Sequence, residues 1–474
     1  MHSRALLLTV FAAGVAHAGG FELPEHGARS LARGGANSVL PGDLSAIALN
    51  PGAMIQLSGT HLYLSYNLVN APLTFERAPS RLAGADEPLP PKSVNQEPIF
   101  PLGVFLGISS DFGLDDFNFW LAVYGPNAAG SASYPEDSAA RYQLTALDLA
   151  MVYYSVGFSW GERDHFGVGA TLQWAHTPSS KFQLVIDGAK KNSEMRPYSS
   201  PFDVLAKFDL SDAGQATAII GGWWRIIPEL EVALSGRVVP VFVDMEGELE
   251  LQPIGTFFTE GGGQLRQFGN TASISAVMPP TMHAGFRYRH MEGERERFDI
   301  ELDVVYEAWS LLEAYDVELN AEVEVIDSAG TQLVPREKVP PLKVKKEWKD
   351  TLSVRLGGSV NFLQDRFALS AGAFWESAAS PDDYAYVDFA SFQRVGVGAG
   401  LTFRFTRVDL NLAYMHIFQP DVTVDEVFGQ GGQQRPLANC PEGCPDGASY
   451  IAANAGTFKS SFDQIGISLD VHFD

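Results

Sequence analysis

Residues 298–306 read Phe-Asp-Ile-Glu-Leu-Asp-Val-Val-Tyr, and this stretch determines the fold. Every second residue from Phe298 to Tyr306 is apolar or aromatic, whereas Asp299, Glu301 and Asp303 occupy positions between them. A period of two predicts a β-strand with one apolar and one polar face. The same alternation recurs over residues 166–174, 395–405 and 465–473, where the intervening positions carry mainly glycine and polar residues. The chain is therefore predicted to be rich in half-buried strands.

Fourteen such segments, each of about ten residues, can be placed along the chain. They lie near residues 58–70, 99–110, 116–124, 147–160, 164–176, 215–226, 230–241, 281–290, 296–306, 351–362, 366–375, 393–404, 407–417 and 460–473. Strands with one apolar face suit either an antiparallel sheet with one wet side or a membrane barrel with a polar lumen. The segments alone leave both architectures open.

The connections between the segments favour the barrel. Those after every even-numbered segment are short, as at 161–163 and 363–365, whereas those after odd-numbered segments are long. Short periplasmic turns and long outer loops are typical of bacterial outer-membrane barrels. Aromatic residues near the segment ends match interfacial belts, and charged residues such as Glu231, Arg287 and Arg355 lie on the opposite face. We predict an all-β, antiparallel transmembrane β-barrel of about fourteen strands.

The N-terminus predicts export. Arg4 is followed by an apolar stretch from Ala5 to Ala16, and Ala16-His17-Ala18 forms a small-x-small cleavage site. Residues 1–18 are therefore interpreted as a signal peptide, the alternative being a short buried helix. After Ala18 the sequence has no run of 18 or more apolar residues, so no helical membrane span is predicted.

Composition and charge exclude several classes of function. The chain of 474 residues has 46 glycines, 19% charged residues and no obvious linker, which suits one large closed sheet. A formal net charge of -24 argues against nucleic-acid binding.

Cys440 and Cys444 lie four residues apart and predict a small disulfide loop in an exported protein. A metal site there is the rarer alternative, because no histidine is near. We predict no metal and no cofactor.

Residues 19–57 are the candidate plug of the barrel, with residues 58–474 forming the wall and loops. A lumen of fourteen strands is too wide for side chains alone to fill, since about eight strands is the limit. The segment does not alternate, is rich in Gly and Ala, and ends in the turn signal Asn50-Pro51-Gly52. The alternative is a flexible periplasmic arm.

These residues resemble the N-terminal hatch of the FadL family of long-chain fatty-acid transporters. The resemblance rests on Gly20-Phe21-Glu22-Leu23-Pro24, Leu31-Ala32-Arg33-Gly34-Gly35-Ala36 and residues 43–52, with Gly52 where the family usually has Ala. Further matches follow in order along the chain: Tyr124-Gly125-Pro126, Ala140-Arg141-Tyr142, Met278-Pro279-Pro280, Ala308-Trp309-Ser310 and Trp348-Lys349-Asp350. Family barrels usually end on an aromatic residue; here Phe473 is followed by Asp474.

The resemblance implies passive uptake of hydrophobic molecules across the outer membrane of a Gram-negative bacterium. Substrate binds among the outer loops, enters an apolar lumen pocket, and leaves through a gap at a kinked third strand when the hatch moves. The implied partners are a long-chain fatty acid and the lipid and lipopolysaccharide of the outer membrane, and the implied state is a monomer. Tyr124-Gly125-Pro126 is the candidate lateral opening, since Gly and Pro weaken a strand; the alternative is an ordinary loop start.

Four residues are candidate substrate ligands. Arg141 would meet a carboxylate headgroup or else pair with a loop carboxylate. Phe202, Leu205 and Phe208 would line an outer groove or else pack loops together. No Gly-x-Ser-x-Gly or His-Glu-x-x-His motif selects a catalytic set, so an enzyme is not expected. The remaining alternatives are a transporter of aromatic hydrocarbons, a general porin or an adhesin.

Overall fold

The structure, a computed structural model, describes most of the chain. The described residues are 20, 22–23, 26–40, 42–83, 87–126, 130–190, 196–438 and 451–473, apart from the side chains at 102 and 103. The predicted signal peptide, Phe21 of the predicted hatch, and Cys440 and Cys444 of the predicted disulfide lie outside them.

Fourteen antiparallel strands close into a barrel, as predicted. Each strand pairs with the next along the chain, and the first pairs with the last from Thr60↔Phe473 to Asn70↔Asp463, which closes the cylinder. The strands are β1 (Thr60–Asn70), β2 (Ile99–Ser110), β3 (Phe117–Tyr124), β4 (Ala146–Glu162), β5 (Phe166–Asp187), β6 (Asp203–Ile227), β7 (Leu230–Arg237), β8 (Thr281–Glu292), β9 (Arg295–Glu307), β10 (Thr351–Phe362), β11 (Phe367–Glu376), β12 (Arg394–Arg404), β13 (Val408–Phe418) and β14 (Gly456–Phe473).

The predicted alternation of faces is present. On β9, Ile300, Leu302 and Val304 are exposed on the outside of the barrel, whereas Asp299, Glu301 and Asp303 are buried in the lumen. An outward apolar band and an inward polar face are what lipid on one side and a polar lumen on the other require.

The long connections carry strands of their own. A set of strands in these connections, called the extracellular strands below, extends the sheet by pairing with β4, β6 and β14 and with one another. They are Leu73–Arg77, Ser93–Val94, Ser131–Ser133, Val241–Pro253, Gln264–Met278, Ala314–Ile326, Gln332–Lys338, Leu342–Lys345 and Val422–Val424. Val241–Pro253 pairs with the outer part of β6 and with Gln264–Met278. The loops were predicted without such strands, and they instead form an ordered layer over the outer mouth.

The described residues between 20 and 57, called the N-terminal segment, lie inside the barrel. It contains the helix α1 (Ala28–Ala32) and two 3-10 turns, Leu44–Ala48 and Pro51–Gln56. Most of its described residues are buried, and they contact the inward faces of β4–β6 and β11–β14. Within the described residues, the remaining helical elements are α2 (Thr256–Thr259) and the turns Trp309–Leu311 and Asp382–Tyr384. Among the described residues, no helix has the length and apolar character needed to span a membrane.

Candidate functional site

Buried carboxylates of β9 hold the N-terminal segment. The Arg33 guanidinium donates to Asp299 at 3.1 and 2.6 Å and to Glu301 at 2.8 Å, and all three side chains are shielded from solvent. Backbone N–H groups of the segment also donate to Glu301, from Val39, and to Asp303, from Asn37 and Ser38. Hydrogen bonds to ionised groups are the stronger kind, so the polar face of β9 is a docking surface for the segment.

The Asn50-Pro51-Gly52 turn packs against backbone rather than side chains of the wall. Asn50 caps its 3-10 turn by accepting from Gly52 N at 3.0 Å, and it donates to the carbonyl of Gly222 on β6 at 3.2 Å. A Cβ on Gly52 would lie 2.5 Å from the carbonyl oxygen of Gly221, and a Cβ on Gly167 would lie 2.3 Å from that of Gly52. Glycine at these close approaches lets the turn lie directly on β5 and β6.

An apolar cavity of about 870 Å³ lies between this segment and the outer loops. Its walls come from the outer ends of β4 to β6 and from the extracellular strands. The apolar lining includes Leu147, Leu149, Met151, Phe182, Leu184, Phe208, Val243, Met245, Ile274, Val277, Met278, Val317 and Leu342. Phe182 and Phe208 stack with ring centroids 4.3 Å apart. A concave site of this size and lining suits a small hydrophobic ligand.

The cavity continues to the outside of the barrel because β3 is short. Ladder pairing of β3 with β2 and with β4 ends at Tyr124, whereas β2 runs on to Ile99 and β4 begins at Ala146. Among the described residues, 150–152 of β4 have no ladder partner on the β3 side. Ile99 and Val104, which are exposed on the barrel exterior, line the cavity together with Gly125 and Pro126.

Tyr124 lies where the cavity, the interrupted strand and the N-terminal segment meet. Its ring stacks on Phe105 with centroids 4.6 Å apart and contacts the His26 ring edge-on at 5.5 Å. Its hydroxyl accepts a hydrogen bond from Gln173. A displacement of the segment near His26 would therefore reach the cavity through Tyr124.

The other predicted ligands lie apart from the cavity, with Phe208 the exception. Arg141 pairs with Asp203 at 3.0 Å, and Leu205 packs with Tyr142 and Val185 in the outer loops. Phe202 contacts the Phe257 ring at 5.0 Å. Whether substrate touches these loop residues on its way in stays a prediction.

Asp203 lies at the outer end of β6, opposite Asp187 in the ladder with β5. Both residues lie well beyond Trp174, the outermost exposed aromatic residue of β5. Burial raises the pKa of Asp203 to about 7, although Arg141 beside it and the Tyr142 hydroxyl, which donates to it at 2.9 Å, act in the opposite direction. The motif Ala140-Arg141-Tyr142 thus ties one outer loop to the start of β6.

Two further motifs from the sequence also meet in space. Trp309 and Trp348 pack edge-on with ring centroids 5.0 Å apart. Asp350 accepts from the Ser310 N–H at 2.9 Å and from the Tyr306 hydroxyl at 2.6 Å. Contacts between Ala308-Trp309-Ser310 and Trp348-Lys349-Asp350 therefore join the start of the loop between β9 and β10 to its end.

Sequence reasoning missed most of the cavity lining, because Val243, Met245 and Ile274 lie on extracellular strands that were taken as loops. The signal was present. Over 243–251 the apolar Val243, Met245, Leu249 and Leu251 alternate with acidic residues, the pattern of a strand with one side in water.

A closed antiparallel barrel, occupied by its own N-terminal segment and holding an apolar cavity open to the wall, defines the class of outer-membrane transport barrels. A family model described as "Outer membrane protein transport protein (OMPP1/FadL/TodX)" matches residues 9–439. The chain therefore belongs to this family, as its motifs predicted. Members of the family are transport channels and not enzymes, in agreement with the prediction from the sequence.

Solved structures share the fold. A Pseudomonas aeruginosa FadL homologue superposes with a TM-score of 0.71 at 14% identity, over 96% of this chain and 100% of that one. The Pseudomonas putida toluene transporter TodX gives 0.62 at 13% identity, over 95% and 99%. The Ralstonia pickettii toluene transporter TbuX gives 0.62 at 12% identity, over 96% and 100%. No curated protein matches the sequence.

Proposed function

We propose that the protein carries long-chain fatty acids or similarly elongated hydrophobic molecules passively across the outer membrane. The observation that supports this function is the apolar cavity of about 870 Å³ that continues through the wall. Each methylene group buried there contributes about 0.8 kcal/mol, so a long alkyl chain gains more than a short one. Binding of this kind needs neither covalent chemistry nor an energy source.

The proposed route runs from the outer loops into the cavity and out through the gap beside β3. Substrate leaving between Ile99 and Met151 enters the lipid phase without crossing the periplasmic half of the lumen, which the N-terminal segment occupies. The segment acts as a hatch in this proposal. Its movement is transmitted to the gap by the contact of His26 with Tyr124. Operation as a monomer among outer-membrane lipid and lipopolysaccharide is part of the same proposal.

Charge at the cavity favours a second candidate, the aromatic hydrocarbons. Its lining includes Glu97, Asp148 and Asp388 but, among the described residues, no Lys or Arg. The buried cation Lys346 pairs with the lining residue Asp388 at 2.6 Å, and a fatty-acid carboxylate would have to compete with that pair. A neutral ring meets no such competition. Two of the proteins that share the fold are toluene transporters.

Uptake of labelled oleate and labelled toluene by bacteria lacking their own fatty-acid transporter tests the proposal. Val243→Trp fills the cavity, and Ala150→Trp narrows the gap at β4. Val304→Trp, the matched control, places the same ring on the lipid-facing side of β9. We expect oleate uptake in the wild type and control, and a several-fold loss in the other two variants.

Barrel assembly in each variant is checked by heat-modifiable mobility on gels. If toluene alone enters, the second candidate replaces the first. If oleate uptake is equal in all four proteins, the cavity is not the route. If oleate uptake is lost in Val243→Trp but not in Ala150→Trp, the cavity is part of the route but the lateral exit is not.

A further inference from the structure

Four polar side chains meet on the lumen side where the first and last strands join. His61 of β1 lies opposite His472 of β14 in the ladder, and Asp470 of β14 lies opposite Asp409 of β13. Because residues two apart on a strand share a face, Asp470 and His472 project together toward both partners. Strand register alone therefore gathers two imidazoles and two carboxylates at the barrel seam.

The hydrogen bonds of His61 leave its Nδ1, an acceptor, facing the carboxylate of Asp470, which is also an acceptor. Its Nε2 is 3.0 Å from the carbonyl oxygen of Ser58, which can only accept, so Nε2 carries the proton. Its Nδ1 then presents a lone pair to both oxygens of Asp470, each 3.2 Å away. This arrangement is favourable only with a cation between them, either a proton or a metal ion.

His472 supplies a second unused donor atom. Its Nε2 is buried and has no hydrogen-bond partner within the part of the chain that the structure describes. It lies 3.9 Å from Asp470 and 3.7 Å from Asp409. The donor atoms of His61, Asp470 and His472 all fall within 4.8 Å of one another. Arg404, 3.7 Å from Asp409, faces that carboxylate and not Asp470.

We propose that His61, Asp470 and His472 bind a divalent transition-metal ion of the zinc type. Imidazole nitrogen with one carboxylate is a donor set that zinc accepts, and three protein ligands leave its fourth position to water. The Ser58 carbonyl is the outer partner that fixes the tautomer of a metal-bound histidine. Calcium and magnesium prefer oxygen donors throughout and do not suit this site. The ion would join β1 to β14 and stabilise barrel closure, a role separate from substrate passage.

Zinc titration of the detergent-solubilised protein, without a histidine tag and stripped of metal, tests the site by calorimetry. The test variants are His61→Gln, His472→Gln and Asp470→Asn. The control is His165→Gln, which removes an exposed imidazole in the short turn between β4 and β5. We expect one equivalent of tightly bound zinc in the wild type and the control, and its loss in each test variant.

Thermal melting gives an independent readout, because an ion that binds only the folded barrel raises its melting midpoint. Zinc should raise the midpoint of the wild type and of His165→Gln but not of the test variants, and calcium should raise none of them. Should His61→Gln fail to assemble, the partly exposed His472 provides the same comparison. Zinc binding by His472→Gln equal to that of the wild type, or no binding by the wild type, would overturn the proposal and leave a protonated His61 paired with Asp470.

Discussion

Arg33 is the main charged anchor between the N-terminal segment and the wall. In Arg33→Ala, Asp299 keeps Arg287 at 3.1 Å, but Glu301 loses its guanidinium partner while fully buried. Removing one member of a buried ion pair costs about 3–5 kcal/mol, here from the docking of the segment. We expect higher ion conductance in planar bilayers and faster proteolysis of the segment.

The control for Arg33 is Arg266→Ala, which removes an exposed guanidinium 3.4 Å from Glu324 in the outer loops. Exposed pairs contribute about 0–1 kcal/mol, so this variant should behave like the wild type. Equal conductance of Arg33→Ala and wild type would show that the backbone contacts to Asp303 and the glycine surfaces hold the segment without Arg33.

Asp203 predicts a pH dependence of the outer loops. The pKa of Asp203 is raised by burial to about 7, so between about pH 4 and 7 the folded protein holds a proton that the unfolded chain releases. Stability therefore falls as pH rises through this window. Burial also raises the pKa of Asp187, which adds to the trend. Relative to Asp203→Asn, the melting midpoint of the wild type should drop by a few degrees from pH 5 to 8.

The matched control for Asp203 is Asp209→Asn on the same strand. Asp209 is exposed and 3.5 Å from Lys181, so its removal should leave the pH dependence of the wild type unchanged. A wild-type curve parallel to that of Asp203→Asn would mean that Arg141 keeps Asp203 ionised throughout.

The sequence predicted the barrel strands well because one physical rule governs each of them. A strand between lipid and a polar lumen must alternate, and residues 298–306 do so without exception until Val305. The predicted end of β5, at 176, is too early, and the predicted start of β6, at 215, is too late, because the outward apolar band stops there while β5 continues to Asp187 and β6 already begins at Asp203. Beyond the apolar band, β5 and β6 continue because they pair with each other, and β6 also pairs with Val241–Pro253.

The alternation over 243–251 predicts a strand but not what its apolar face covers, so the cavity could not be predicted in the same way. Val243 and Met245 look like any inward pair, and only their pairing with distant β6 and with Gln264–Met278 turns them into a cavity wall. Long-range pairing of this kind leaves no periodic signal of its own. Arg141 illustrates the same limit, since its partner Asp203 is remote in sequence.

The lumen is closed at two levels. The N-terminal segment fills the half nearest the short turns, where Gly167 and Gly372 let it approach the wall. The extracellular strands cover the other half and enclose the cavity. Exposed residues of the barrel exterior, Ile99 and Val104, line the cavity at the gap beside β3, so the proposed lateral exit lies in the wall between the two closures.

Deleting residues 26–57 tests which closure keeps ions out. Fourteen strands enclose more space than side chains can fill, and Asp299, Glu301 and Asp303, released from the segment, would be hydrated by water entering the lumen. We expect a folded barrel whose conductance in planar bilayers is many times that of the wild type. A control that removes residues 327–331, an exposed outer hairpin tip, should stay closed. If the deletion conducts no more than the wild type, the outer strands alone seal the pore, and the segment acts on the gap beside β3 and not as a barrier to ions.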